Sequence, residues 1–309
     1  MLPENLRKYV ERYPTLGLIG GTRLLSVEGL DAWPDNGATL HAKCEWTNPG
    51  GSLKDRPVRR MLLEEIERGR LTRERSIIDS SSGNAGIAYA MIGAMMGYDV
   101  TLVLPGNASA ERKKRILAHG AKLIQTDPLE GYDAALREAH RLAEEHADKY
   151  FMPDQYANDG NWRAHYDETA VEILEQTGGE LTHFISGIGT GGTITGVGRR
   201  LKEHDPSIKI VQVLPEVFPG IEGLKPLESP EDIVPKILDT RVVDEQVRVS
   251  IEDAFDYCNA LARRGIFVGQ SSGAYLKAAV ETAKANPGAR IVTLFCDIGE
   301  RYFSTRLWD

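Results

Sequence analysis

The chain has 309 residues, enough to bury a large core in one big or two medium domains. Lysine and arginine total 37 against 45 for aspartate and glutamate, a net charge of −8, and no basic run is long enough to suggest nucleic acid or an anionic membrane. No apolar stretch is long enough to span a bilayer, the charged opening MLPENLRKYVERYP lacks the apolar run of a signal peptide, and the seven histidines show no metal-ligand spacing, so no metal site is expected. Cys44, Cys258 and Cys296 are odd in number and far apart, which predicts reduced thiols in the cytoplasm.

The first informative stretch is NPGGSLKDRPVRRML, beginning at Asn48. Pro57 is tolerated only in the first turn of a helix, so a helix starts close to Lys54. Ser52 with Asp55 three residues on reads as a capping box. Val58, Met61, Leu62 and Ile66 recur at helical spacing, and Gly69 marks the stop. Lys54 thus stands on a glycine-rich turn at a helix N-terminus, where the dipole disfavours an ammonium by roughly 0.3–1 kcal/mol. That suits a lysine that must lose its proton and attack a carbonyl, although a solvated lysine after a turn would read the same way.

Beyond this helix, strands and helices alternate. Buried strands are predicted at Ser76–Asp79, Asp99–Pro105, Lys122–Thr126, His183–Ser186, Lys209–Pro215 and Arg290–Phe295. Helices are predicted at Ala85–Met96, apolar nearly all round, and at Asp133–Tyr150, Trp162–Gln176, Gly192–Lys202, Ile251–Arg263 and Gly273–Lys284. Such alternation implies an α/β fold with parallel sheets and helices on both faces. A domain boundary is expected near Tyr150–Pro153.

Three strand-to-helix turns look chemical, because ligands in parallel sheets bind where such helices begin. GIGTGGTITG, Gly187 to Gly196, offers backbone N–H groups and a dipole for a phosphate, and it lacks the Lys-Ser/Thr of a nucleoside triphosphate loop. Its GxGxxG spacing also admits a dinucleotide or a merely tight turn. DSSSGNAG, Asp79 to Gly86, packs hydroxyls and an amide where a helix's orphan N–H groups point, a place for a carboxylate or for plain N-capping. VGQSSGA, Val268 to Ala274, has the same style. Together they ask for a ligand with a phosphate and an aldehyde, plus a partner carrying a carboxylate. Pyridoxal 5′-phosphate (PLP) with an amino acid satisfies all three.

On these motifs, with PDQYAN, a following HY and the late GERYFST, the sequence resembles the cysteine synthase (O-acetylserine sulfhydrylase) and cystathionine β-synthase family of PLP-dependent enzymes, from about Ile19 to the last residues. The resemblance implies fold type II, like the tryptophan synthase β chain: two domains, each with a mainly parallel twisted sheet flanked by helices, and PLP in the cleft between them. A smaller mobile domain is expected over 35–150, carrying the Schiff-base lysine and the substrate-carboxylate loop. A larger domain, from 1–34 plus 151–309, is expected to carry the phosphate loop.

Carried over by position, the resemblance makes Lys54 the Schiff-base lysine that also moves the α-proton. Asn84 bonds the ring's 3′-oxygen. Gly189, Thr190, Gly191, Gly192 and Thr193 hold the phosphate, and Ser271 faces the pyridine nitrogen. Ser81, Ser82, Asn84, Ala85 and Gln155 receive the substrate carboxylate. The implied reaction is β-replacement, forming L-cysteine from O-acetylserine or O-phosphoserine and a sulfur donor through an α-aminoacrylate. A serine opposite the pyridine nitrogen makes the coenzyme a weaker electron sink, which suits that route. The alternatives are β-elimination of the cysteine desulfhydrase type, cystathionine β-synthase activity, or a non-catalytic PLP-binding or regulatory protein. The family also implies a homodimer and a possible serine acetyltransferase tail as partner, with no nucleic acid and no membrane.

Several positions depart from the family's usual pattern. IGGTRLL (Ile19 to Leu25) has Gly21 and Arg23 where Asn and Pro are usual. Ala85 stands where Thr is common, and DETAVEI follows HY at Asp167–Ile173. The segment Pro219–Pro235 is unusually charged. Within it, Lys225 is either a contact for a phosphoserine or thiosulfate or a solvated surface residue.

Overall fold

The computed structural model describes residues 2–81, 83–230 and 232–309. Its helices are α1 (Glu4–Arg12), α2 (Asp55–Glu67), α3 (Asn84–Met96), α4 (Ala110–Ala118), α5 (Gly131–Glu145), α6 (Asp159–Ala164), α7 (Ala170–Thr177), α8 (Gly192–His204), α9 (Ile251–Ala262) and α10 (Gln270–Ala285). The strands are β1 (Leu24–Ser26), β2 (Thr39–Cys44), β3 (Ser76–Ser80), β4 (Val100–Pro105), β5 (Lys122–Thr126), β6 (Tyr150–Phe151), β7 (His183–Gly187), β8 (Lys209–Pro215), β9 (Glu245–Val249) and β10 (Arg290–Phe295). The fold is α/β with mainly parallel sheets flanked by helices, and the chain divides into two compact units.

The smaller unit comprises Leu2–Ile19 and Asn48–Asn161. Its parallel sheet runs β5-β4-β3-β6. Side chains alternate across a strand, so β3 and β4 feed two cores. Ile77, Leu102 and Leu104 join Val58, Met61 and Leu62 of α2, Ala88 and Ile92 of α3 and Ile116 of α4. Ile78 and Val103 join Ala135 and Ala139 of α5 on the opposite face. Helix α3 is buried nearly all round and closes at Gly97, as its apolar sequence predicts.

The larger unit comprises Gly20–Thr47 and Trp162–Asp309. Its sheet runs β1-β2-β10-β7-β8-β9, parallel throughout except for the antiparallel β1.

These units differ in their limits from the expected 35–150 and 1–34 plus 151–309. Strand β2 pairs with β10 along its whole length, Thr39 opposite Arg290 through Cys44 opposite Phe295, which draws residues 20–47 into the larger unit. Leu6, Leu16 and Ile19 pack into the α2–α3 core, which puts the first helix in the smaller unit.

Three helical stretches also differ from expectation. Helix α5 stops at Glu145, because Tyr150 pairs with Ser76 as β6. The pattern over Trp162–Gln176 is interrupted by a π-helical turn at His165–Thr169. Helix α10 begins at Gln270, so Ser271 lies inside its first turn rather than before it.

Candidate functional site

Helix α2 begins at Asp55, with Lys54 as its N-cap. The expected capping box does not form. The Ser52 hydroxyl accepts from the Lys54 N–H at 3.3 Å, and the Asp55 carboxylate turns back to accept from the Gly50 N–H. Asp55 thus ties the Gly-Gly turn to the helix it precedes. From Gly50 to Glu65 every residue is buried except Lys54. A fixed backbone therefore presents one amine from an otherwise enclosed segment, the condition a nucleophilic lysine needs.

The second turn follows β3 and opens α3. The Ser81 hydroxyl accepts from the N–H groups of Gly83 at 3.3 Å and Gly86 at 2.9 Å, so it serves the helix start, the plainer of its two readings. Its own O–H proton stays available for donation, so capping does not exclude ligand binding. Gly83 is the N-cap and supplies no side-chain acceptor. Ser82 lies outside the described residues. Gln155, 74 residues from Ser81, is brought to this turn: its side-chain amide donates to the Ser80 carbonyl at 3.2 Å. The Tyr132 hydroxyl donates to the same carbonyl at 2.5 Å. Gln155 follows Asp154, a non-glycine residue at φ 53°, in the left-handed region where strain often marks function. Asn84 is half-buried at the first position of α3, and Ala85 is buried.

The third turn joins β7 to α8. Gly191, at φ 81°, is the N-cap and leaves the helix without a side-chain cap. A Cβ on Gly189 would lie 2.6 Å from the Gly223 carbonyl oxygen, so only glycine fits there. The Lys225 N–H donates to the Ile188 carbonyl at 2.7 Å, and the Glu222 N–H donates to Gln270 Oε1 at 3.1 Å. Part of the charged 219–235 segment therefore braces both the glycine loop and the start of α10. Ser271 is buried in that first turn. One turn further along the same helix face, the Tyr275 ring abuts Gly187.

Sequence reasoning did not single out the buried Asp79 carboxylate, Tyr132 or the Glu222–Lys225 brace. Only Asp79 carried a local signal, a charge ending an apolar strand. Burial raises the Asp79 carboxyl to about 7. Cys44, Cys258 and Cys296 are buried and in no disulfide, and desolvation pushes the first two thiols to about 11 and 12. Among the described residues, no group of three His, Cys, Asp or Glu side chains could hold a metal, and no helix is long and apolar enough to cross a membrane.

A family model described as "Pyridoxal-phosphate dependent enzyme" matches residues 15–297. A cysteine synthase of Aquifex aeolicus is 47% identical over 306 residues, covering 96% of this chain and 93% of that protein. A solved cysteine synthase (OASS) from Entamoeba histolytica is 36% identical with a TM-score of 0.88, over 95% of this chain and 90% of that one. A hydrogen sulfide-producing enzyme from Fusobacterium nucleatum is 34% identical with a TM-score of 0.86, over 94% and 99%.

Proposed function

This chain belongs to the pyridoxal-phosphate dependent enzymes, within the cysteine synthase and cystathionine β-synthase family, and on that footing we propose that it makes L-cysteine by β-replacement. The substrates are an activated serine, O-acetylserine or O-phosphoserine, and a sulfur donor. The observation that carries this reading is Lys54, half-buried on a turn whose other residues from Gly50 to Glu65 are buried and which Asp55 braces.

The residues present fit the coenzyme. The uncapped start of α8 and the close approach that Gly189 alone permits form a backbone cradle for a phosphate. When bound, the coenzyme supplies the electron sink that lets a Cα–H proton and a β-substituent leave.

In this reading Lys54 tethers the coenzyme and then moves the α-proton. A base so positioned contributes roughly 10²–10⁴-fold. Gly189, Thr190, Gly191, Gly192 and Thr193 would hold the phosphate, and Asn84 would bond the ring oxygen. Ser271 would offer the ring nitrogen a neutral hydroxyl, which cannot keep that nitrogen protonated as a carboxylate would. Ser81, Ser82, Asn84, Ala85 and Gln155 take the substrate carboxylate and aim its Cα–H at the lysine, with the smaller unit as the mobile part. The same turn would accept the C-terminal carboxylate of a serine acetyltransferase tail. The buried cysteines, none in a disulfide, support a cytoplasmic setting, and a homodimer follows the family pattern.

A second reading, β-elimination that releases sulfide from cysteine, is supported by likeness to the Fusobacterium enzyme. The decisive experiment is product analysis with O-acetylserine, O-phosphoserine, serine and cysteine, each with and without sulfide. L-cysteine is expected from an activated serine plus sulfide. Pyruvate alone, whatever the nucleophile, would overturn the synthase reading. Lys54→Ala should abolish the coenzyme's visible absorption shift on adding amino acid.

A further inference from the structure

The GERYFST motif, Gly299 to Thr305, has no part in the proposed function. Just before it, the chain runs antiparallel to residues 267–269, which lead into α10. The Gly299 N–H donates to the Phe267 carbonyl at 3.1 Å, Val268 bridges Ile298, and the Gly269 N–H donates to the Asp297 carbonyl at 3.1 Å. The Gly269 carbonyl accepts from the Ser272 N–H at 3.0 Å and from the Cys258 thiol at 3.2 Å. Gly269 is the N-cap of α10, two residues before Ser271. The helical turn Gly299–Tyr302 folds Tyr302 back, so that its hydroxyl donates to Asp297 Oδ2 at 2.9 Å, and both side chains are buried. The pair forms a wall against Gly269: a Cβ there would lie 2.1 Å from Tyr302 Cε2 and 2.3 Å from Asp297 Oδ1, so only glycine fits. On the other side of Ser271, the Ser272 hydroxyl accepts from the Cys296 N–H at 2.9 Å. Ser271 is thus preceded and followed by residues that the end of the chain holds.

We propose that Tyr302 and Asp297 are positioning residues for Ser271: they seat the first turn of α10 and so fix the hydroxyl offered to the coenzyme's ring nitrogen. They act through Gly269 and not by contact with the coenzyme. Without the Tyr302 hydroxyl, the buried Asp297 carboxylate loses that donor and the wall behind Gly269 loosens. A hydrogen bond weakens steeply once its alignment is lost, so a small shift at Gly269 reaches the bond made two residues on. The clamp serves this purpose only if Ser271 meets the ring nitrogen, and in that it rests on the proposed function.

The test measures, on the full chain stripped of coenzyme, the affinities for PLP and for 1-deazapyridoxal 5′-phosphate, in which a carbon replaces the ring nitrogen. Tyr302→Phe keeps the ring and removes only the hydroxyl. It should weaken PLP about fivefold, the worth of one neutral hydrogen bond. The deaza compound should change less than about twofold, because it offers Ser271 no ring nitrogen to bond. In a Ser271→Ala background, Tyr302→Phe should cost PLP less than about twofold more, since the two residues act through one bond. Asp297→Asn keeps an oxygen that can accept from Tyr302 and should hold PLP more tightly than Asp297→Ala. Equal losses for both compounds, a full further loss on top of Ser271→Ala, or no loss at all would overturn the assignment. Should Tyr302→Phe fail to fold, amide exchange on the wild type decides. By linkage, the Gly269 and Cys296 N–H groups should exchange more slowly with PLP bound than with the deaza compound bound. Equal protection sinks the assignment. If the wild type binds neither compound, it is the proposed function that fails.

Discussion

His165 Nε2 lies 3.3 Å from Thr193 Oγ1, while its Nδ1 lies 3.0 Å from Thr169 Oγ1. The ring is buried in the π-helical turn and bridges that turn to the first residues of α8. Gly196 makes the approach possible, because a Cβ there would sit 2.2 Å from the Trp162 carbonyl oxygen and 2.9 Å from His165 Cβ. The histidine of the HY motif thus braces Thr193 at the start of α8. His165→Ala should lower coenzyme affinity about fivefold, the worth of one neutral hydrogen bond. Equilibrium dialysis with absorbance detection measures it, and an unchanged affinity would show that the brace plays no part in coenzyme retention.

Gly21, which stands where the family's usual pattern has Asn, meets the segment that follows the HY motif. Glu172, within DETAVEI, accepts from the Gly21 N–H of IGGTRLL at 3.0 Å through Oε1, and pairs with Lys43 Nζ at 2.6 Å through Oε2. Lys43 is fully buried and also donates to the Thr22 carbonyl at 2.5 Å. Removing one partner of such a pair strands a buried charge, at a cost of about 3–5 kcal/mol. Lys43→Met should destabilise the protein on that scale in urea unfolding. Lys43→Met with Glu172→Met should cost less than the sum of the single changes. Additive costs would mean that the pair is not coupled.

Asp79 makes stability depend on pH. Burial raises its carboxyl from 3.8 in the unfolded chain to about 7 in the fold. The native state therefore holds a proton that the unfolded state has released. Stability from this group is complete below pH 3.8, declines as pH rises, and is gone once pH passes about 7. Relative to Asp79→Asn, which cannot titrate, the wild type should lose up to about 1.4 kcal/mol for each pH unit across that window. Urea unfolding of both proteins at pH 5, 6 and 8 measures the difference. A constant gap between them would show that Asp79 does not titrate there.

The position of the three turns was legible because each is local. Glycines beside hydroxyls mark a strand-to-helix junction, and a lysine at a helix N-terminus is conspicuous by its poor fit with the dipole. The predicted strands could be read for a similar reason, except that Lys122–Thr126, expected to be buried, forms the edge strand β5 and buries none of its residues. A strand buried on both faces, such as β4, is one continuous apolar run. The remaining strands gave little such signal: β9 is mostly exposed, and β1 and β6 are only three and two residues long. Strand β2 alternates weakly and is defined by its partner β10.

Sequence by itself determined the α/β alternation, the glycine loop, the buried α3 and the lysine's place at the start of α2. Each depends on spacing within a dozen residues and on the backbone freedom of glycine and proline. Only tertiary structure decided which unit owns residues 2–19 and 20–47, that Gln155 reaches the Ser80 carbonyl, that His165 braces Thr193, and that Glu222–Lys225 supports the glycine loop. The last three of these are hydrogen bonds between groups 28 to 75 residues apart, and a pairing at that range leaves no periodicity in the chain. It exists only once the sheets have brought the ends of distant strands and helices together.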